Sequence, residues 1–97
     1  MVTAIVLTKV QRNQVNEVSQ RLTEIDGISE VYSVGGRYDL VVVVRAASNE
    51  KMAEVVTNHM TGISGILDTE TMVAFRSHSR HDLESMFSIG LEEGAQT

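Results

Sequence analysis

The pattern of apolar and polar positions indicates four strands, the first of which is covered on both faces. Val2–Val10 reads VTAIVLTKV, which is rich in β-branched residues and apolar at both even and odd positions. Such continuous apolarity is typical of a strand that is buried on both sides. Three further stretches are predicted to be strands, residues 31–34, 38–45 and 67–77, and residues 38–45 are the most apolar of these. Gly35-Gly36 separates the second stretch from the third, as the turn of a hairpin would.

Two segments between these strands carry apolar residues at the spacing of an amphipathic helix. Asn13 is a candidate N-cap of the first helix, whose apolar side holds Val15, Val18, Leu22 and Ile25. Ser48 is a candidate N-cap of the second, whose corresponding side holds Met52, Val55, Val56, His59 and Met60. The element order is therefore βαββαβ.

A weak internal repeat supports this order. A shift of 35 residues places Asn13 on Ser48 and Ile25 on Met60, and it aligns the two Gly-Ile-Ser triplets that begin at Gly27 and Gly62. Two similar βαβ halves with interleaved strands form the ferredoxin-like fold. The sequence thus predicts an α+β domain, in which two helices cover one face of a four-stranded antiparallel sheet.

The opposite face of this sheet is also predicted to be apolar. Ile5 and Leu7 alternate with Ala4 and Val6, and residues 40–44 are apolar without interruption. A monomer would leave a large apolar patch exposed, which is rare in monomeric proteins. We expect a homo-oligomer in which a second copy covers the face, with the sheets about 10 Å apart in a dimeric α+β barrel. A monomer covered by its own short C-terminal segment is the alternative, but that segment is small for the task.

The C-terminal segment, residues 79–97, differs from the rest of the chain. Ser79-Arg80-His81-Asp82 resembles a capping box, and apolar residues follow at helical spacing: Leu83, Met86, Phe87 and Leu91. A helix this short is marginal alone in water, so we expect it to dock on a neighbouring subunit or on its own sheet edge. The expected division is a domain over residues 1–78 followed by this helix and tail.

Composition and charge narrow the classes of function. The 97 residues include no cysteine, which excludes disulfides and thiol chemistry and favours a cytoplasmic protein. The net charge is −5, and the eight basic residues form no stripe, so direct nucleic-acid binding is not expected. No signal peptide is visible at the start, and no apolar run is long enough to span a membrane.

Two motifs resemble the ligand-sensing (RAM) domain of the Lrp/AsnC family of transcriptional regulators. One is Gly35-Gly36-Arg37-Tyr38-Asp39 followed by the apolar strand, and the other is Gly62-Ile63-Ser64 leading to Asp68-Thr69-Glu70-Thr71. The resemblance covers roughly residues 2–78 and leaves no room for the family's N-terminal helix-turn-helix. It implies a stand-alone sensing module that forms face-to-face dimers and rings and binds amino acids. It further implies an influence on transcription that is indirect or exerted through co-assembly with full-length regulators.

The first motif has a chemistry that suits a zwitterion. The backbone N–H groups of Gly35 and Gly36 can hold a carboxylate, and Asp39 can pair with an ammonium group. The hydroxyls of Thr69 and Thr71 share a strand face with apolar residues and can complete a polar pocket. With Tyr38, these are the candidate ligand-binding residues. The alternative is an ordinary hairpin turn with a strand-end aspartate and solvated threonines.

Other chemistries find less support. His78 and His81 have a His-x-x-His spacing, with Asp82 and His59 as further donors, but they are expected to lie on different elements, and no metal or cofactor is predicted. No cluster of acid, base or nucleophile is evident, so an enzyme, such as a small ferredoxin-like monooxygenase, is not expected. A purely structural oligomerisation partner is the main alternative to a sensor.

Overall fold

The computed structural model describes residues 1–78 and 80, and the element order there is the predicted one. The strands are β1 (Val2–Val10), β2 (Ile28–Ser33), β3 (Leu40–Ala46) and β4 (Ile66–Ala74). Helix α1 (Val15–Thr23) follows a 3₁₀ turn at Arg12–Gln14, and helix α2 (Asn49–Glu54) continues into a π-helix over Val55–Met60. The predicted apolar stripe of the C-terminal segment lies outside the described residues. In the described part of the chain, no helix is long and apolar enough to cross a membrane.

The four strands form one antiparallel sheet in the order β2-β3-β1-β4. The central pair runs in register from Val2 opposite Ala46 to Thr8 opposite Leu40. β2 and β4 are the two edges. Because consecutive βαβ halves interleave to give this order, the sheet confirms the ferredoxin-like α+β prediction.

The two faces of the sheet differ in what covers them. The helix-facing side carries the buried strand residues, which are Ala4, Val6, Thr8, Val10, Leu40, Val42, Val44 and Ala46. These pack against buried residues of the helices, which are Val18, Leu22, Met52, Val55 and Met60. The other side, here called the open face, carries Ile5, Leu7, Val41 and Val43, each half-buried within the single chain. Both helices thus lie on one face, as predicted.

A β-bulge explains why β2 begins three residues before its predicted start. Ile28 pairs with Val44 and Val31 pairs with Val42, so both side chains face the helices although they are three residues apart. An irregularity between Ile28 and Glu30 takes up the extra residue. A strand prediction based on strict alternation cannot place Ile28 and Val31 on one face, because a regular strand has a period of two.

The internal repeat is present, but from the ends of the helices onward its offset is 38 residues and not the predicted 35. Gly27 and Gly65, rather than Gly27 and Gly62, are the equivalent turn residues, with φ of 100° and 104°. The hydrogen bonds of the two turns match, since Ile28 N donates to Ile25 O and Ile66 N donates to Ile63 O. At this offset LTEIDGI (residues 22–28) aligns with MTGISGI (residues 60–66).

The π-helix accommodates one extra residue in the second half. Val18 and Leu22 are buried four residues apart, whereas Val55 and Met60 are buried five residues apart. In an α-helix of 3.6 residues per turn, a five-residue step would separate the two side chains by about 140°. The wider turn of Val55–Met60 brings both back to the core, as a π-bulge does.

The two helix starts differ in their caps. Ser48 Oγ accepts a hydrogen bond from Lys51 N at 3.2 Å, which confirms the predicted N-cap. Asn13 does not cap α1, because it lies inside the 3₁₀ turn that follows Gln11. The chain enters the helical region two residues early, with Gln14 N donating to Gln11 O at 2.9 Å.

Candidate functional site

The loop between β2 and β3 lies at one end of the sheet and is fixed to the end of β1. Asp39 N donates to Thr8 O and Val34 N donates to Asp39 O, each at 3.0 Å. Lys9 Nζ also donates to Arg37 O at 3.1 Å. Since β1 lies between β3 and β4, the loop residues 34–39 cross the end of β1 toward the far edge of the sheet.

Asp39 has a structural partner that the sequence did not predict. Its Oδ2 accepts a hydrogen bond from Val10 N at 2.8 Å in a partly buried position. The regular β1–β3 ladder ends at Thr8 and Leu40, so this carboxylate supplies the next acceptor. One oxygen of Asp39 therefore has a structural role as a hydrogen-bond acceptor. The sequence had suggested only a role in ligand binding for this residue.

Tyr38 reaches β4 across the open face. Its hydroxyl donates to Glu70 Oε1 at 2.8 Å, and Glu70 lies opposite Leu7, whose side chain is on that face. The hydrogen bond to the Glu70 carboxylate raises the pKa of Tyr38 above its usual value. Glu70 and Lys9, neither of them a predicted site residue, thus hold the loop in place. Glu70 is the central residue of the Thr-Glu-Thr motif, and its place in that motif was the sequence feature that could have identified it.

The two glycines of the loop are open to solvent. Gly36 has φ of 132°, a conformation that other residues rarely adopt, whereas Gly35 is not in the positive-φ region. A Cβ atom at either position would meet nothing within 4 Å. Conformation, and not crowding, therefore explains glycine at position 36, and the surrounding space is available to a ligand.

Thr69 and Thr71 lie on the other side of the sheet from the Tyr38–Glu70 contact. They pair with Thr8 and Val6, whose side chains point to the helices. Thr69 is half-buried and Thr71 is exposed. The six predicted site residues therefore flank one end of the sheet and both sides of β4, without enclosing a single pocket within one chain.

Two shallow cavities lie elsewhere, on either side of His59. One, of about 350 Å³, is lined by residues that include Arg45, Lys51 and Glu54. The other, of about 330 Å³, includes Arg21 and Asn58. His59 Nε2 is 3.8 Å from Glu54 Oε1. Among residues 1–78 and 80, no three His, Cys, Asp or Glu side chains are grouped to hold a metal ion.

Sequence comparison identifies the type of domain. The model of the Lrp/AsnC ligand binding domain matches residues 3–83. The HTH-type transcriptional regulator FL11 of Pyrococcus horikoshii is 32% identical over 75 residues, which is 77% of this chain and 49% of that protein. The chain thus spans about half the length of this relative. These matches place it among ligand-binding domains of regulators and not among enzymes.

Comparison with solved structures supports the same type of domain. The protein TTHA0845 from Thermus thermophilus is 40% identical, with a TM-score of 0.77 that covers 82% of this chain and 100% of that one. A feast or famine regulatory protein from M. tuberculosis, complexed with L-methionine, shares the fold at 21% identity. Its TM-score is 0.69, over 82% of this chain and 54% of that one.

Proposed function

The chain belongs to the Lrp/AsnC ligand-binding domain family, and from that premise we propose that it senses a free amino acid or a similar small zwitterion. The proposed site consists of Gly35, Gly36, Tyr38, Asp39, Thr69 and Thr71. The proposed assembly is a homo-oligomeric, cytoplasmic dimer that joins into a ring. It influences transcription indirectly, or by joining full-length regulators, without contacting DNA itself.

The observation that carries this proposal is the fixed position of the 34–39 loop. Its Asp39 end is bonded to Thr8 and Val10, its Val34 end is bonded to Asp39, and its middle is bonded to Lys9 through Arg37 O. The exposed residues Gly35 and Gly36 therefore belong to the same fixed loop as Asp39 before any ligand arrives. A preorganised loop that offers N–H donors to a carboxylate, and a carboxylate to an ammonium group, favours a zwitterion, because little ordering is needed on binding.

An amino-acid ligand also needs an apolar wall for its side chain, and this need favours a site between subunits. Within one chain the loop has open space around both glycines, and the two cavities flanking His59 lie elsewhere. A neighbouring copy that packs against this end of the sheet would supply the missing wall. The M. tuberculosis neighbour complexed with L-methionine supports an amino acid as the ligand class.

The open face supports the dimer. Ile5, Leu7, Val41 and Val43 form its centre, and Met72 is 44% exposed beside Ile5. A second sheet laid on this surface would remove the apolar side chains from water, at about 25 cal/mol for each Å² buried. Charged residues stand toward the edges, as in the Arg45–Glu30 ion pair of 3.3 Å.

A thermal-shift screen of the twenty amino acids tests the sensing function. A ligand at a hundredfold excess over its Kd stabilises the folded state by about 2.7 kcal/mol, which raises the Tm by several degrees. Asp39→Asn should remove most of this shift, because it deletes the charge that pairs with the ammonium group. The amide oxygen can still accept from Val10 N, so the ligand-free Tm should change little.

Asp26→Asn is the matched control. It makes the same change of charge at the opposite end of the sheet, in the turn before β2, and should leave the ligand-induced shift intact. If none of the amino acids at millimolar concentration alters the Tm or the oligomer mass, the domain is a structural oligomerisation partner and not a sensor.

A further inference from the structure

Lys9 reaches from the end of β1 to the middle of the 34–39 loop, here called the glycine loop. Its Nζ atom lies 3.1 Å from Arg37 O, the carbonyl oxygen of the residue that follows Gly36. Gly35 and Gly36 are exposed, and a Cβ atom on either would meet nothing within 4 Å. The Lys9 ammonium group is therefore held close to the open space that the proposed ligand would enter.

The positive charge of Lys9 is not neutralised by an acidic partner. Asp68 is opposite Lys9 in the β1–β4 ladder, but its Oδ1 accepts a hydrogen bond from Thr69 N at 2.9 Å. Lys9 makes no ion pair with any residue in the described part of the chain. A lysine ammonium group has three N–H donors, and the Arg37 carbonyl accepts from one of them. The remaining donors and the charge are available to an anion.

A carboxylate bound at the glycine loop needs such a cation, because acidic side chains lie near the loop. The pKa of Tyr38 is raised chiefly by its hydrogen bond to Glu70 and also by the charge of Asp68, so both carboxylates are close to Tyr38. Asp39 adds a third carboxylate within the loop itself. Like charges repel, and backbone N–H groups carry only partial charges to offset this repulsion.

We propose that Lys9 binds the carboxylate of the ligand, together with the backbone of Gly35 and Gly36, while Asp39 binds the ammonium group. This assignment rests on the proposed sensing function and narrows its ligand class to molecules with a free carboxylate. An amino acid binds, whereas its carboxamide, which keeps the ammonium group and the side chain, binds much more weakly. Arg37 does not share the role, because no hydrogen bond or ion pair within residues 1–78 and 80 fixes its side chain.

Calorimetric titration with the twenty amino acids and their carboxamides tests this requirement in the full chain. The titrations are made at about pH 6, where α-amino groups with a pKa of about 8 are protonated in both forms. The wild type should bind the amino acid at least about tenfold more tightly than its carboxamide, as a charge-assisted hydrogen bond allows. Lys9→Met should reduce this ratio to less than about threefold, whereas Lys9→Arg, which keeps the charge, should retain most of it. Lys9 is exposed, so the ligand-free Tm of both variants should stay close to that of the wild type.

Arg37→Met is the matched control. It also removes one positive charge, but it leaves the Arg37 carbonyl that Lys9 contacts, so the ratio should remain near the wild-type value. A Lys9→Met variant that weakens both ligands equally would show that Lys9 only supports the loop, and an unchanged ratio would overturn the proposal in either case. Equal binding of amino acid and carboxamide by the wild type would overturn it too, while the sensing function would stand. If none of the amino acids binds, the sensing function fails and this proposal fails with it.

Discussion

Asp39 combines a structural role with the proposed ligand role. Its carboxylate replaces a backbone acceptor where the β1–β3 ladder stops, and it holds Val10 N at 2.8 Å. The residue is half-buried, so water has limited access to that N–H group. Removing the acceptor would therefore leave a backbone donor without its partner.

At Asp39 the fold and the ligand can be separated by two substitutions. Asp39→Ala should lower the free energy of unfolding by about 1–3 kcal/mol, because the Val10 N–H loses its acceptor. Asp39→Asn should lower it by less, since an amide oxygen remains. Urea denaturation of both variants without ligand provides the comparison. Equal stability of the Ala variant and the wild type would show that the bond contributes nothing to the fold.

Local signals in the sequence were sufficient for some residues and not for others. The Ser48 cap depends only on the three residues after it, and the sequence predicted it correctly. The bonds of Asp39 to Val10 and of Tyr38 to Glu70 join residues 29 and 32 positions apart. They depend on which strands are neighbours, which a local pattern does not state. The ligand-binding roles of the loop residues stay predictions.

Among the elements, the second helix shows how one extra residue is absorbed. Its buried residues Val55 and Met60 are five apart, and the π-helix restores both to the core. A search for a fixed repeat is misled by such an insertion, because the offset is 37 between Val18 and Val55 and 38 between Leu22 and Met60. The predicted offset of 35 fits neither pair, because it was anchored on Asn13, which is not the cap of α1. The element order that it supported is correct.

Single-residue deletions in the two helices should have unequal effects. Deleting Asn58, an exposed residue of the π-helix, leaves Val55 and Met60 four apart, as in a regular α-helix, and should cost less than about 1 kcal/mol. Deleting Gln20, which is exposed in α1, rotates Leu22 out of the core by about 100° and should cost about 2–5 kcal/mol. Chemical denaturation of the two variants measures both. A deletion of Asn58 that destabilises as much as the other would contradict the insertion model.

For the whole molecule, one face of the sheet holds residues that the fold buries, and the other holds residues that the proposed dimer would bury. Val42 is completely buried under the helices, whereas its neighbour Val43 lies half-buried on the open face. The apolar residues on both faces were readable from the sequence. Which face receives the helices follows from the right-handed crossovers and cannot be read from alternation alone.

Aspartate at position 42 should therefore prevent folding, whereas aspartate at position 43 should prevent association. Val42→Asp buries an unpaired charge and should unfold the chain, a loss above about 4 kcal/mol. Val43→Asp should leave a folded chain but shift the mass, measured by light scattering, toward the 10.7 kDa of a monomer. A wild-type protein that is already a monomer at micromolar concentration would refute the proposed dimer.

The bond from Tyr38 to Glu70 joins the glycine loop to the open face, and this has a thermodynamic consequence. A ligand that moves Tyr38 away from Glu70 would leave a carboxylate without its donor beside Leu7, on the surface where a second copy is proposed to pack. Amino-acid binding would then change the affinity between subunits, and subunit association would change the affinity for the amino acid by the same factor. A sensing domain built in this way reports an amino acid through the strength of its own association, with no need for a moving hinge or a second domain.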